Sequence, residues 1–272
     1  MVAKQRRPVF IFLIIACFLS GCNVDLPGFF GSSDLDTRLN EQDNFRFLSG
    51  EDRTRSFGEA FSFIVLTDTH IEKGNAYGLE KLKGEIDSEI KFVVICGDIT
   101  QRGDRQDVEK FIEVTGSFGV PCYPVIGNHD IYSGNWPHWK DLIGSTRYRI
   151  DGGGAALFIL DSANAFFGED QLDWLDRELK SAEGRIFVFT HANPFLDNPA
   201  GFQQLTDIRE RSRFFSVLRG RCDAMFSGHS HLRYVRETGG VQFINIDDFR
   251  SNRTYCRVSV TKAGISWEYK RL

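Results

Sequence analysis

The residues that say most about chemistry are histidines, and five of the six in this chain fall in one ordered series of short motifs. In order they are Asp68-Thr69-His70, Gly97-Asp98, Gly127-Asn128-His129-Asp130, His191 and Gly228-His229-Ser230-His231. Imidazole nitrogen, carboxylate oxygen and amide oxygen together suit borderline divalent transition metals better than calcium or magnesium. Singly, each has a bland reading: Asp68 can cap a loop, and His191 can be a satisfied histidine at a strand end. Structure alone does not demand this order of ligand types, so the series together reads as a metal site. His138, the sixth histidine, sits in Asn135-Trp136-Pro137-His138-Trp139 and reads as a loop residue outside the motifs. Trp136, Trp139 and Tyr132 can either pack or stack on a substrate ring.

Positioning such a set takes strands. Nearly every motif follows an apolar, β-branched run: Phe63 to Leu66, Phe92 to Ile95, Pro124 to Ile126, Ile186 to Phe189, and Ala224 to Phe226. Such runs read as buried strands, which places the ligands at strand C-terminal ends, the edge of an α/β sheet where sites form. Strand alternation would put Asp68 and His70 on one side, and likewise His229 and His231. Helical stretches lie between the runs, at roughly 77–90, 104–118, 169–182 and 203–219. Leu172, Leu175 and Leu179 give the clearest helical spacing. After His231 the pattern turns to alternating strands at Tyr234-Val235, Gln242 to Ile246, Tyr255 to Val260 and Ile265 to Tyr269. Residues 57–272 read as one globular α/β unit without internal repeats.

The motif order from Phe63 to His231 resembles that of the calcineurin-like metallophosphoesterases, and Gln171 to Leu175 resembles a recurring helix of that family. The resemblance implies an α/β fold of two mixed β-sheets sandwiched between helices. It implies two divalent transition-metal ions (manganese, iron or zinc): Asp68, His70 and His231 on one, Asn128, His191 and His229 on the other, and Asp98 bridging. Paired ions of this kind bring a shared water near neutrality in pKa, giving a hydroxide nucleophile. By the same resemblance, His129 faces the leaving oxygen and Asp130 orients or tunes His129. The implied activity is hydrolysis of a small-molecule phosphoester. Gly97-Asp98-Ile99-Thr100 resembles a stretch of cyclic-nucleotide and related diesterases, which favours a diester. A phosphomonoesterase or nucleotidase, and a non-catalytic binding lipoprotein that keeps the fold, stay open as alternatives. Two departures matter. His191-Ala192-Asn193-Pro194 lacks the second histidine many family diesterases carry after that position, and Gln101 stands where purple acid phosphatases place a tyrosine.

The first residues read as a targeting segment. Lys4, Arg6 and Arg7 precede a continuous apolar run from Val9 to Leu19, long enough for a signal-peptide core and too short for a stable span. Leu19-Ser20-Gly21-Cys22 then resembles the lipobox of bacterial lipoproteins, implying cleavage before Cys22 and its lipidation. Residues 1–21 would be the signal peptide and 22–56 a polar tether, the product being an exported lipoprotein held on a membrane by its acyl chains. Asn23 after the lipid site leaves the outer membrane open as the destination, if the cell has one. Loss of residues 1–21 moves the formal net charge from −4 to −7. That acidity argues against nucleic acid as a partner and against electrostatic adhesion to anionic lipid. Cys96, Cys122, Cys222 and Cys256 follow no zinc spacing, and their pairing cannot be read from sequence.

Overall fold

The computed structural model describes residues 26–42, 45–196 and 204–272. Cys22 and the apolar run before it lie outside these residues. The strands in chain order are β1 (Phe61–Leu66), β2 (Ile90–Cys96), β3 (Cys122–Val125), β4 (Tyr148–Asp151), β5 (Ala155–Ile159), β6 (Arg185–Phe189), β7 (Ala224–Ser227), β8 (Tyr234–Thr238), β9 (Val241–Asn245), β10 (Thr254–Thr261) and β11 (Gly264–Arg271). They form two sheets, with orders β11-β10-β1-β2-β3 and β4-β5-β6-β7-β9-β8. Both sheets are mixed. β1, β2 and β3 run parallel, as do β5, β6, β7 and β9, while β10 pairs antiparallel with β1 and β4 with β5.

Alternation along the buried strands divides their side chains between layers. Phe63 and Val65 of β1, Phe92 and Val94 of β2, Leu157 of β5 and Phe187 and Phe189 of β6 fill the space between the sheets. There Phe63 stacks on Phe92 at 4.6 Å between centroids and meets Phe187 edge-on at 5.1 Å. Ile64, Leu66, Val93 and Ile95 face outward onto α4 (Arg105–Gly116), through Val108 and Phe111. Phe158, Val188 and Met225 face the other way onto α6 (Glu169–Leu179) and α7 (Ile208–Leu218), through Leu172, Leu175 and Phe214. The architecture is the expected two-sheet sandwich between helices. Its remaining helices are α1 (Leu26–Phe30), α2 (Leu35–Glu41), α3 (Gly50–Thr54), α5 (Trp136–Leu142) and α8 (Phe249–Asn252). None among the described residues is long and apolar enough to cross a membrane.

Three expectations are refined or corrected. The helical stretch at 77–90 is a 3-10 helix confined to Leu79–Glu85. Its buried residues Leu79 and Leu82 are three apart, the 3-10 period, and Gly84 weakens any longer α-helix. His138 lies inside α5, not in a loop, with Nδ1 3.0 Å from the Gly103 carbonyl. The third concerns residues 22–56, whose described part packs onto the domain and is no free tether. Leu35 and Arg38 of α2 are buried, Leu48 enters the inter-sheet core, and the Tyr123 hydroxyl donates to the Asp52 carbonyl at 2.7 Å. Arg38 meets Asp161 in a two-pronged ion pair, 2.7 Å at both Nε–Oδ2 and Nη2–Oδ1.

Candidate metal centre

Every ligand-type residue lies just past a strand, on the edge where the C-terminal ends of β1, β2, β3, β6 and β7 gather. Strand alternation is not what aims them. Asp68, His70, Asp98, His229 and His231 all hold positive φ, between 44° and 65°, so the chain has left the pleat. Crossing main-chain bonds hold these turns: Asp68 N–H donates to the Gly97 carbonyl at 3.0 Å and His70 N–H to the Asp98 carbonyl at 2.9 Å. Gly97, at φ 84°, has to be glycine for a second reason, because a Cβ there would overlap the His191 ring. Gly228 likewise leaves the room that Thr67 and the Asp68 carboxylate fill.

The side chains form two adjoining clusters. In the first, Asp68 Oδ1 is 3.2 Å from His231 Nε2 and 3.7 Å from His70 Nε2. In the second, His191 Nε2 is 3.0 Å from Asn128 Oδ1, 3.1 Å from His229 Nδ1 and 3.3 Å from Asp98 Oδ2. Asp98 Oδ2 also lies 3.8 Å from His70 Nε2 and 4.0 Å from His129 Nε2. Backbone amides seat the carboxylates, His129 N–H on Asp98 Oδ1 at 2.9 Å and His229 N–H on Asp68 Oδ2 at 3.1 Å. His191 is oriented by the Cys96 carbonyl, 2.9 Å from Nδ1, which leaves Nε2 facing the cluster.

This donor set fits divalent cations. One imidazole nitrogen with three polar neighbours at 3.0 to 3.3 Å cannot hydrogen-bond to all of them. Atoms about 2.0–2.2 Å from a common ion stand roughly 3–4 Å from one another, which is the spacing seen. His70 Nε2 sits between two carboxylates at distances too long for hydrogen bonds. Its own Nδ1 is buried without a hydrogen-bond partner among the described residues.

Charge follows the same geometry. Burial alone would raise the Asp68 carboxyl, but His231 and His70 outweigh it and hold it well below the usual range. Asp98 is likewise lowered, burial being overcome by His191, His129 and His70. Burial opposes protonation of His191 and His231, yet Asp98 and Asp68 raise the first to about 9 and Asp68 the second to about 9. His129 goes the other way, because burial exceeds the pull of Asp98.

All nine residues expected at the site converge there. Asp130 does not touch the His129 ring. Its buried carboxylate accepts from the backbone N–H groups of Ile99 (3.2 Å), Thr100 (2.8 Å) and Gly127 (2.9 Å) and from the Thr100 hydroxyl (2.9 Å), tying the Asp98 loop to the Asn128 loop. Burial and then Asp98 push its pKa up to about 6. The His129 ring is oriented by the Gln101 carbonyl, 2.9 Å from Nδ1. Sequence reasoning missed Gln101 and Thr100 in these roles, although Thr100 stands inside a quoted motif. It also missed Asn245, whose amide donates to Ser230 Oγ at 2.9 Å and to the Leu232 carbonyl, bracing the His229–His231 turn. The only signal for Asn245 was a polar residue in an apolar run. Trp136 and Trp139 are buried packing residues. Cys96, Cys122, Cys222 and Cys256 are free and buried, and burial raises all four thiols.

Two mixed sheets with histidines and carboxylates at their shared strand-end edge define an α/β sandwich built to hold metal ions. The pattern of the calcineurin-like phosphoesterases matches residues 61–233, and the chain belongs to that family. It is similar to a probable cyclic nucleotide phosphodiesterase of Fibrobacter succinogenes, 30% identical over 179 residues, covering 61% of this chain and 66% of that protein. It is also similar to the 3',5'-cyclic adenosine monophosphate phosphodiesterase CpdA of Pseudomonas aeruginosa, 25% identical over 223 residues, covering 72% of this chain and 79% of the relative. The chain thus spans about two thirds of the first relative's length, 66%. In fold it is similar to a dimetal phosphatase from Danio rerio, with a TM-score of 0.61 at 14% identity over 77% of this chain and 95% of that one.

Proposed function

We propose that this protein hydrolyses phosphodiesters with two divalent transition-metal ions, one held by Asp68, His70 and His231 and the other by Asn128, His191 and His229. The observation that carries this reading is Asp98, whose Oδ2 lies 3.8 Å from His70 Nε2 and 3.3 Å from His191 Nε2, so that one carboxylate adjoins both clusters. When bound, such ions supply positive charge for the phosphoryl oxygens and activate water for attack. The chain's own groups do the remainder. Two carboxylates against four neutral imidazoles and an amide leave much of the ionic charge uncancelled, which favours an anionic substrate. His129 gives a proton to the leaving oxygen from Nε2. Because Nδ1 faces the Gln101 carbonyl, that step needs the imidazolium, which Asp98 favours and burial opposes. The preference for a diester rests on Gly97 to Thr100 and on the names of the two relatives above. Lipid on Cys22 would hold the enzyme at a membrane outside the cytoplasm, a reading supported by the basic start, apolar run and small residues that precede it.

The test strips full-length protein with a chelator, reloads it with manganese, iron or zinc, and compares a phosphodiester with a monoester of the same leaving group. Close to two ions per chain and faster diester turnover are expected, with Asp98→Ala losing both. Saturation at one ion or none refutes the dinuclear site. Faster monoester turnover would make it a phosphomonoesterase or nucleotidase, and two ions without turnover a binding protein.

A further inference from the structure

The amide of Asn128 can serve a metal only through its oxygen, yet oxygen and nitrogen ends of an amide are nearly the same size. Something must decide which end faces His191. The structure puts one group in position to do so. Asn128 Nδ2 donates to the hydroxyl of Tyr132 at 2.8 Å, which turns Oδ1 toward His191 Nε2 at 3.0 Å. Both residues are buried, Asn128 at 5% and Tyr132 at 2% exposure, so water does not compete for the amide.

The local backbone is shaped for this contact. The 3-10 helix His129–Gly134 begins directly after Asn128 and kinks at Tyr132 (ψ 158°) and Ser133 (φ 57°). The kink lets a residue four positions along return its side chain to Asn128. It also lays the Tyr132 ring against the His129 ring, 4.6 Å between centroids at 38°. From outside, the N-terminal segment closes over the kink, with Gly31 against the backbone of Ser133 and Gly134.

We propose that Tyr132 is the positioning residue of the second metal site. By fixing the Asn128 amide with its oxygen inward, it sets the affinity for the ion shared by Asn128, His191 and His229. This rests on the dinuclear reading above. Partners that orient metal ligands in this way are worth about 10–100-fold in metal affinity. Tyr132→Phe keeps the ring and its packing and removes only the hydroxyl.

The experiment titrates manganese(II) into chelator-stripped, full-length protein by calorimetry, in four forms: wild type, Tyr132→Phe, Asn128→Asp and the double variant. A carboxylate has two equivalent oxygens and needs no amide orientation, so the Asp background separates positioning from bulk structure. Tyr132→Phe should weaken one of the two sites about 10–100-fold and leave the other within about twofold. In the Asn128→Asp background the same change should cost less than about threefold, a coupling that general loosening of the loop would not produce. Metal-free melting temperatures check that each variant folds. Fewer than two ions on the wild type would overturn the dinuclear reading and this proposal with it. Two ions on the wild type with affinities unchanged in Tyr132→Phe, or an equal loss in both backgrounds, would overturn the positioning role alone.

Discussion

Replacing Arg38 by alanine should destabilise the protein by about 3–5 kcal/mol, the cost of breaking a buried ion pair from one side. The figure follows from what would be left behind. Arg38 and Asp161 are both 0% exposed, and the guanidinium gives the carboxylate two bonds of 2.7 Å. It also donates to Asn164 Oδ1 at 2.8 Å and the Ser33 carbonyl at 2.6 Å. Without Arg38, the Asp161 carboxylate keeps the Ala163 N–H at 3.1 Å and has lost its charge partner in a site closed to water. For a chain of this length, about 2–4 °C per kcal/mol turns that loss into a melting point lower by about 6–20 °C. Urea unfolding followed by tryptophan fluorescence gives the free energy, with an unchanged slope expected because the folded surface is the same. A paired Arg38→Met and Asp161→Leu variant should recover most of the loss, since apolar groups can replace a buried pair at little cost. A loss below about 1 kcal/mol for Arg38→Ala would place the pair in the class of exposed ion pairs and refute the docking of residues 26–42 as integral to the domain.

His129→Ala should lower kcat by about 10²–10⁴-fold with ion content unchanged, the loss being smaller for nitrophenyl than for alkyl esters; equal losses would remove the leaving-group role. In metal-free protein the histidine pKa values near 9 at His191 and His231 lie above the ordinary 6.5, so their stabilising contribution is full below pH 6.5 and fades as pH rises to about 9. Ions compete with those same protons, so the melting-point gain on adding manganese should grow over that window, and a gain independent of pH would contradict the assignment. Cys22→Ala should abolish lipid labelling and lipoprotein-type processing, and unchanged labelling with unchanged mature mass would rule out Cys22 as the anchor.

How far the sequence could be read depended on whether a residue's partner was close along the chain or far from it. The strand runs and the ligand series were legible because each is a local pattern: apolar stretches such as Phe92 to Ile95, and short motifs directly after them. The hairpin of β4 and β5 was overlooked despite a usable signal, Gly152-Gly153-Gly154 between the alternating Tyr148–Asp151 and the apolar Ala155–Ile159. Arg38 was illegible in principle. Its segment is polar enough to pass for a linker, and only the fold brings Asp161, 123 residues onward, to meet it. The partners of Asp130 were illegible for a related reason. The resemblance implied that Asp130 orients or tunes His129, whereas the turn at Asn128 sends the carboxylate back toward the Ile99 and Thr100 amides.

The positive φ values at the site carry a last consequence. Among the described residues ten non-glycine positions hold φ above zero, and five of them are Asp68, His70, Asp98, His229 and His231. A non-glycine residue in that region costs of order 1–3 kcal/mol, so the ligand turns store several kcal/mol that the rest of the fold must offset. Main-chain bonds between loops supply the restraint. Gly228 N–H reaches the His191 carbonyl at 3.0 Å and joins the loops after β6 and β7, while the Phe249 and Arg250 N–H groups, past β9, reach the Thr67 and Asp68 carbonyls at 3.0 Å and tie the two sheets together at this edge. The donor atoms therefore owe their convergence to the whole sandwich and not to any one motif. An ion bound there would offset strain already present in the metal-free fold and hold both sheets, which couples its affinity to folding stability. Variants that loosen the sandwich far from the ligands, Arg38→Ala among them, should accordingly lower metal affinity as well as melting temperature.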